Sequence, residues 1–307
     1  MNATFENLHS SWTRLPGNLR GAAWMLVATF ALAGMTVTVK YLSQSMSVWE
    51  LLVLRAAFAL VILSPALIRT GPRVLRTQRF GLHLSRSLFG FFGMVALYFA
   101  LKHLDLALVT TLGFARILFM IVCAVLFLGE TIRWRRSLAT VAGFIGVIIC
   151  VRPGAADFDP WTLVALGMAV LGTGVTTTIK RLTSTEAPLT ITTYAYLIMG
   201  SIALIPALFD WRLPSTADFI MVVAMAAFSA MGQTCVVYAL RAGDVTAVTP
   251  FEYSRLLWAV ALGYFLFAEV PAMSTWIGGA IIIASTLYIG FREARLNRER
   301  KKAAAES

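Results

Sequence analysis

The sequence predicts an all-α integral membrane protein of ten transmembrane helices, arranged as two inverted repeats of five. Three observations carry that expectation. Of 307 residues, 59% are hydrophobic and only 13% charged, where a soluble domain is about a quarter charged. The apolar residues come in long blocks, close to the ~20 residues that a helix needs to cross about 30 Å of hydrocarbon. The chain also resembles itself at an offset of 139–140 residues.

The blocks follow in order. A polar arm, 1–20, precedes the first, 21–41, which outruns a signal peptide and has no small-residue cleavage site behind it, so it is a retained helix. Serines at 43–47 separate it from the second, 48–68, and a basic loop with Gly71-Pro72 precedes the third, 81–101. Asp105 opens the fourth, 105–128; Glu130 and the arginines at 133–136 lead into the fifth, 135–151. Arg152-Pro153-Gly154 closes the half. The second half has blocks at 160–180, 189–209, 217–240, 245–268 and 274–291, punctuated by Pro188 and Pro214. The domains expected are therefore the arm 1–20, a first repeat 21–154, a second repeat 155–291 and a basic tail 292–307, the arm and tail being poorly ordered or interfacial.

With the N-terminus inside, the inner segments hold 18 basic residues and the outer ones four, Lys40, Lys102, Arg152 and Arg212. Positive loops stay cytoplasmic, so both termini are expected there. The net charge of +11 is thus an orientation signal and gives no reason to expect a nucleic-acid partner.

Within the repeat, GMTVTVKYL (34–42) matches GVTTTIKRL (174–182), and ALKHLDLALVTTLGFARIL (100–118) matches ALRAGDVTAVTPFEYSRLL (239–257). Identities among Ala, Leu and Val mean little in membrane helices. Four charged matches mean more: Lys102 with Arg241, Asp105 with Asp244, Arg116 with Arg255, and Glu130 with Glu269. Five spans per repeat force the second copy to enter the membrane upside down. Inverted repeats are the usual build of secondary transporters, whose solute site lies near the midplane between the halves.

The stretches ALKHLDLALVTTLGFARILFMIVCAVLFLGE (100–130), WRR with GFIGVIICVRPG (134–154), FEYSRLLWAVALGYFLFAEVP (251–271) and TWIGGAIIIAS (275–285) resemble the EamA branch of the drug/metabolite transporter superfamily. The resemblance covers nearly the whole chain. It implies a ten-helix carrier of small metabolites in the inner membrane, with a central cavity between two five-helix bundles. It also places Arg55 where the family often has an arginine in its second helix. The family's proline before the fourth-helix glutamate is replaced here by Ile117.

A charge inside the bilayer costs a few kcal/mol, roughly 3 on insertion scales, which makes it a functional candidate by default. Arg55, Arg86, Arg116, Glu252 and Arg255 lie within spans. Arg116 is 11 residues past Asp105 and 14 before Glu130, and Arg255 stands in the same relation to Asp244 and Glu269, so both fall near the midplane. An arginine fork suits a carboxylate or phosphate, which favours an anionic or zwitterionic solute such as an amino acid derivative. Glu252, three residues before Arg255 on one helical face, is either its ion-pair partner or a proton-coupling group. Phe114, Tyr253, Trp258, Tyr194, Tyr196 and Gln233 are candidates to line the cavity, although for each ring singly helix packing or lipid contact is the commoner role. Arg86 is expected to snorkel to the inner interface. Arg55 is expected to meet a helix-terminal carboxylate or carbonyl, Lys40 and Lys180 to lie at the interface, and Glu130 and Glu269 to orient loops.

Cys123, Cys150 and Cys235 have no CxxC or Cys/His spacing, only three histidines are present, and no phosphate-binding P-loop occurs, so no metal, cofactor or nucleotide drive is expected. The partners expected are a small-molecule solute, with protons or a counter-solute, and the lipid bilayer, in a monomer or homodimer. A membrane-embedded enzyme or a channel-like protein is the alternative.

Overall fold

The computed structural model describes residues 16–128, 134–156, 158–182, 185–211, 214–243 and 248–306. Among the described residues every regular element is helical. Helix α1 spans Gly17–Leu42, α2 Val48–Thr70 and α3 Phe80–His103. The fourth span is made of two pieces, α4 (Leu106–Gly113) and α5 (Arg116–Leu128), and the fifth is α6 (Trp134–Val151). In the second half, α7 covers Trp161–Leu182, α8 Pro188–Ala207 and α9 Thr216–Ala242. A 3-10 turn, Thr249–Tyr253, runs into α10 (Ser254–Phe267), and α11 spans Met273–Glu306.

Local chemistry places the ends. Ser47 and Glu50 close a capping box on α2: the Trp49 N–H donates to Ser47 Oγ at 3.3 Å and the Ser47 N–H to Glu50 Oε2 at 3.1 Å. Pro188 sits in the first turn of α8, where its missing N–H is harmless. Ser215 caps α9 by accepting from the Asp218 N–H at 3.1 Å.

Among the described residues eight spans, the fourth being α4 and α5 together, are long and apolar enough to cross a membrane, and α6 and α10 make two shorter ones. Large apolar side chains point outward, among them Ile68 at 79% and Phe209 at 89% exposed, whereas Glu50 and Arg55 are buried. That inversion belongs in lipid, where burying polar groups among helices is the only way to satisfy them. The protein is a multi-pass membrane protein.

Helix packing repeats itself under exchange of the halves. The contact of α1 with α9 has its equivalent in α7 with α3, and that of α2 with α9 in α8 with α3. The fourth span packs on α7 as the ninth packs on α1. Three contacts are their own equivalents, α2 with α8, α4 with α10 and α6 with α11. The last of these is close because neither partner has a side chain: a Cβ on Gly278 would stand 2.5 Å from the Gly146 carbonyl oxygen.

Two features differ from the sequence expectation. The fourth and ninth blocks are interrupted, which a hydropathy run cannot reveal. The last helix continues through the tail to Glu306, because the Arg, Lys, Glu and Ala that make the tail hydrophilic are also strong helix formers. The arm lies outside the described residues, apart from 16–20, which join α1.

Candidate functional site

The two interruptions put Arg116 and Arg255 at equivalent places. In the fourth span α4 stops at Gly113, two turn residues follow, and α5 begins on Arg116. In the ninth, a 3-10 turn with Pro250 at its start comes first, and α10 begins one residue before Arg255. Discontinuous helices of this kind present positive helix starts to the interior of a carrier, where anionic groups bind.

Glu252 in the 3-10 turn forms a hydrogen-bonded ion pair with Arg116 Nη2. The partner expected from helical spacing was Arg255. The carboxylate instead reaches across to the other half. Arg116 therefore does have an acid, one that a search along its own helix could not find. The pair is open rather than sealed, with side chains 36% and 25% exposed. Arg255 is within electrostatic reach of both Arg116 and Glu252, and its Nε is buried without a hydrogen-bond partner. Glu252 is thus bonded to Arg116 and only near Arg255. Thr173 of α7 donates to the Arg116 carbonyl at 3.0 Å, and Gly172 leaves room beside the arginine's Cδ, so Arg116 faces the bundle interior.

The rings preceding the arginines also meet. Phe114 and Tyr253 lie 4.9 Å apart with their planes tilted by 57°, joining the halves beside the ion pair, and the Tyr253 hydroxyl is hydrogen-bonded to Thr286 of α11. Trp258 packs edge-on against Phe30 of α1, 5.3 Å away, with its indole N–H buried and partnerless. Ser254 and Thr29 hydroxyls bond at 2.7 Å across the same helix contact.

Other candidates are placed elsewhere. The Tyr194 hydroxyl donates to the Leu75 carbonyl at 2.8 Å and its ring stacks on His83, toward the loop after α2. Tyr196 lies under the Arg55 guanidinium, 5.6 Å from ring centre to Cζ. Gln233 is half-buried on α9, and no polar contact draws it to either central arginine. Among the described residues Arg55 is in no ion pair; it meets Tyr196 and the Met94 sulfur instead of a helix end. Arg86 does not simply snorkel, since its Nε is buried without a partner.

A further ion pair joins the two halves. Lys40 of α1 pairs with Glu269 and donates to the Leu104 carbonyl at 2.7 Å, while Glu269 accepts the Leu106 N–H at 2.9 Å. Glu269 thereby caps α4 across the repeat boundary, where Asp105 makes no side-chain cap. The carboxylate has room because Gly263 has no side chain: a Cβ there would lie 2.9 Å from Glu269 Oε2. Lys40, half-buried in the last turn of α1, is thus tied to the second half. The signal lay in the repeat, which aligns Lys40 with Lys180 and Glu269 with Glu130. Glu130 lies outside the described residues. Among the described residues no group of His, Cys, Asp and Glu could hold a metal.

The EamA-like transporter family matches the chain twice, over residues 19–152 and 159–291. The chain belongs to this family. It is 29% identical to an S-adenosylmethionine uptake transporter of Rickettsia conorii, over 92% of this chain and 96% of the relative. It is 30% identical to a riboflavin transporter of Vibrio cholerae, over 93% and 98%. A pseudopaline exporter of Pseudomonas aeruginosa is 24% identical, over 87% and 94%. A solved crystal structure, 18% identical, superposes with a TM-score of 0.61 over 89% of this chain and 98% of its own, so the two share a fold. The EamA protein described here is accordingly a small-metabolite transporter of the inner membrane and not an enzyme.

Proposed function

We propose that this EamA protein moves a carboxylate-bearing or zwitterionic metabolite, an amino acid or a derivative of one, by alternating access around Arg116, Glu252 and Arg255. The observation that carries this is the ion pair between Arg116 and Glu252, made across the two halves at the break in each helix. A carboxylate on the solute replaces Glu252 on Arg116, since the planar guanidinium binds either carboxylate in the same way. Glu252, once released, pairs with Arg255 three residues along or takes up a proton. Either event unties one half from the other, which is what rocking requires. Phe114 and Tyr253 supply an aromatic wall beside the charge. S-adenosylmethionine, named for one relative, is an amino acid derivative with a carboxylate and an aromatic ring. Riboflavin, named for another, has a flat ring system edged with hydrogen-bond acceptors.

Alternating access also needs an end that closes. The tie of Lys40 to Glu269 and the α3–α4 corner holds one end shut, and the repeat register assigns the equivalent role at the other end to Lys180 and Glu130.

The test is counterflow in proteoliposomes holding the purified chain, with labelled S-adenosylmethionine, riboflavin and an amino acid panel. Uptake that is stimulated by unlabelled solute inside the vesicles, and that Arg116→Gln reduces to background, is the expected result. Uptake by Arg116→Gln at the wild-type rate would remove this arginine from the site, and uptake without trans-stimulation would make the protein a channel.

A further inference from the structure

A second concentration of positive charge lies away from the central ion pair, between α2, α3 and α8. Arg55 on α2 is 4% exposed, its Nη1 meets Met94 Sδ at 3.5 Å, and its guanidinium lies over Tyr196 of α8. Arg86 is on α3, two turns before Met94, and its charge acts on both Arg55 and Tyr196. The Nε–H groups of both arginines are buried and partnerless. Beside Arg86 stand Ser87 and, one turn earlier, His83; both are fully buried, and the serine hydroxyl and both imidazole nitrogens also lack partners. His83 stacks on Tyr194 at 4.5 Å. The phenols nearby do not neutralise anything: Tyr196 shares a 3.2 Å hydrogen bond with Ser229, and Tyr98 has only the Met225 sulfur at 3.8 Å.

Among the described residues no carboxylate is paired with either guanidinium, in contrast to Arg116. Two uncompensated guanidinium groups inside a membrane protein cost several kcal/mol each unless an anion accompanies them. The unpaired groups are mostly hydrogen-bond donors, which narrows the companion to an acceptor-rich anion. Between Arg86 and Met94 on α3 lies Gly90, so the backbone face between the two charges carries no side chain; a Cβ there would approach Met199 Sδ at 3.3 Å. The second half has no counterpart, because the repeat offset brings Tyr194 or Ala195 to the position of Arg55 and Met225 or Ala226 to that of Arg86.

We propose that Arg55 and Arg86, with Ser87 and His83, form a second anion site that takes a small oxyanion, a carboxylate or phosphate group of up to two negative charges. It belongs to the first half alone and is separate from the site of Arg116 and Glu252. A cation–π contact with Tyr196 keeps Arg55 in place when the anion leaves.

Binding is measured without transport, so its outcome does not depend on whether the central site carries solute. The purified chain in phosphatidylcholine nanodiscs is titrated with succinate and with inorganic phosphate, followed by thermal shift and calorimetry. At least one probe raises the Tm saturably in wild type and in Arg116→Gln, and Arg86→Gln and Arg55→Gln weaken its binding by about ten-fold or more. If the glutamine variants do not fold, Arg86→Lys keeps the charge but loses the Nε–H, and is expected to bind more weakly. Repeating the titration in nanodiscs containing phosphatidylglycerol separates the sources: weakened binding makes a lipid headgroup the occupant, and unchanged binding makes it a soluble anion, both upholding the site. No stabilisation of wild type by either probe, wild-type affinity in both Arg55→Gln and Arg86→Gln, wild-type affinity in Arg86→Lys, or loss of binding in Arg116→Gln alone would overturn the proposal.

Discussion

The two pairs of membrane-embedded arginines differ in the way they are balanced. Arg116 and Arg255 occupy equivalent places in the two repeats, each at the start of a half-helix, with the carboxylate of Glu252 paired to Arg116 and near Arg255. Arg55 and Arg86 both belong to the first repeat and have aromatic rings, sulfur and hydroxyls around them but no paired carboxylate among the described residues. Duplication explains the first pair: it supplies a symmetric scaffold that brings both arginines near one acid. Divergence explains the second, since only one copy has basic residues at those positions. A two-fold arrangement can rock between equivalent states, whereas a one-sided charge distinguishes one state from the other.

Substitutions at three further places test that contrast. The largest effect is expected at the end tie, which like the central pair joins the two halves. Lys40→Glu places two carboxylates together and should abolish counterflow, and the added Glu269→Lys should recover a substantial part of it. A swap that recovers nothing would mean that Leu104 and Leu106, rather than the charge pair, hold that end. Next comes Glu252→Gln, which retains a hydrogen bond to Arg116 but removes the charge and the proton site. Uptake should become weaker and its pH profile flatter than in wild type. An unaltered profile would leave Glu252 as a latch without a coupling role, and would bring the central pair closer in kind to the end tie. The smallest effect is at Ala268, which ends α10 with φ of +54°. Ala268→Gly relieves a left-handed alanine and should raise stability by about 1 kcal/mol, read as a higher Tm with uptake unchanged. A lower Tm would mean that the alanine methyl helps to position Glu269.

Much of the fold was legible in hydropathy and self-similarity. The blocks 48–68, 81–101 and 135–151 fall within three residues of the helix ends, because a lipid-spanning helix must be apolar along its whole length and polar caps mark where it stops. The breaks at Gly113–Arg116 and Thr249–Tyr253 were not legible, although Gly113 and Pro250 sit in them, since both residues also occur inside continuous membrane helices. The site was legible as a list but not as a geometry. Arg116, Arg255, Glu252, Phe114 and Tyr253 come together, while Tyr194 and Tyr196 belong to the His83 and Arg55 surroundings.

By itself the sequence determined the membrane setting, the repeat and which charges lie in the spans, since these follow from composition and from matches at a constant offset. It left open which charge meets which. Glu252 was assigned to Arg255 by helical spacing, and Arg86 to the interface by its distance from a basic loop. Only the tertiary structure joined Glu252 to Arg116, Lys40 to Glu269, and Arg86 to the surroundings of Arg55. The reason is physical. In a bundle of crossed helices a charged side chain is neutralised by whatever lies nearest in space, and here that neighbour comes from the other repeat or from another helix, at a separation that no local pattern records.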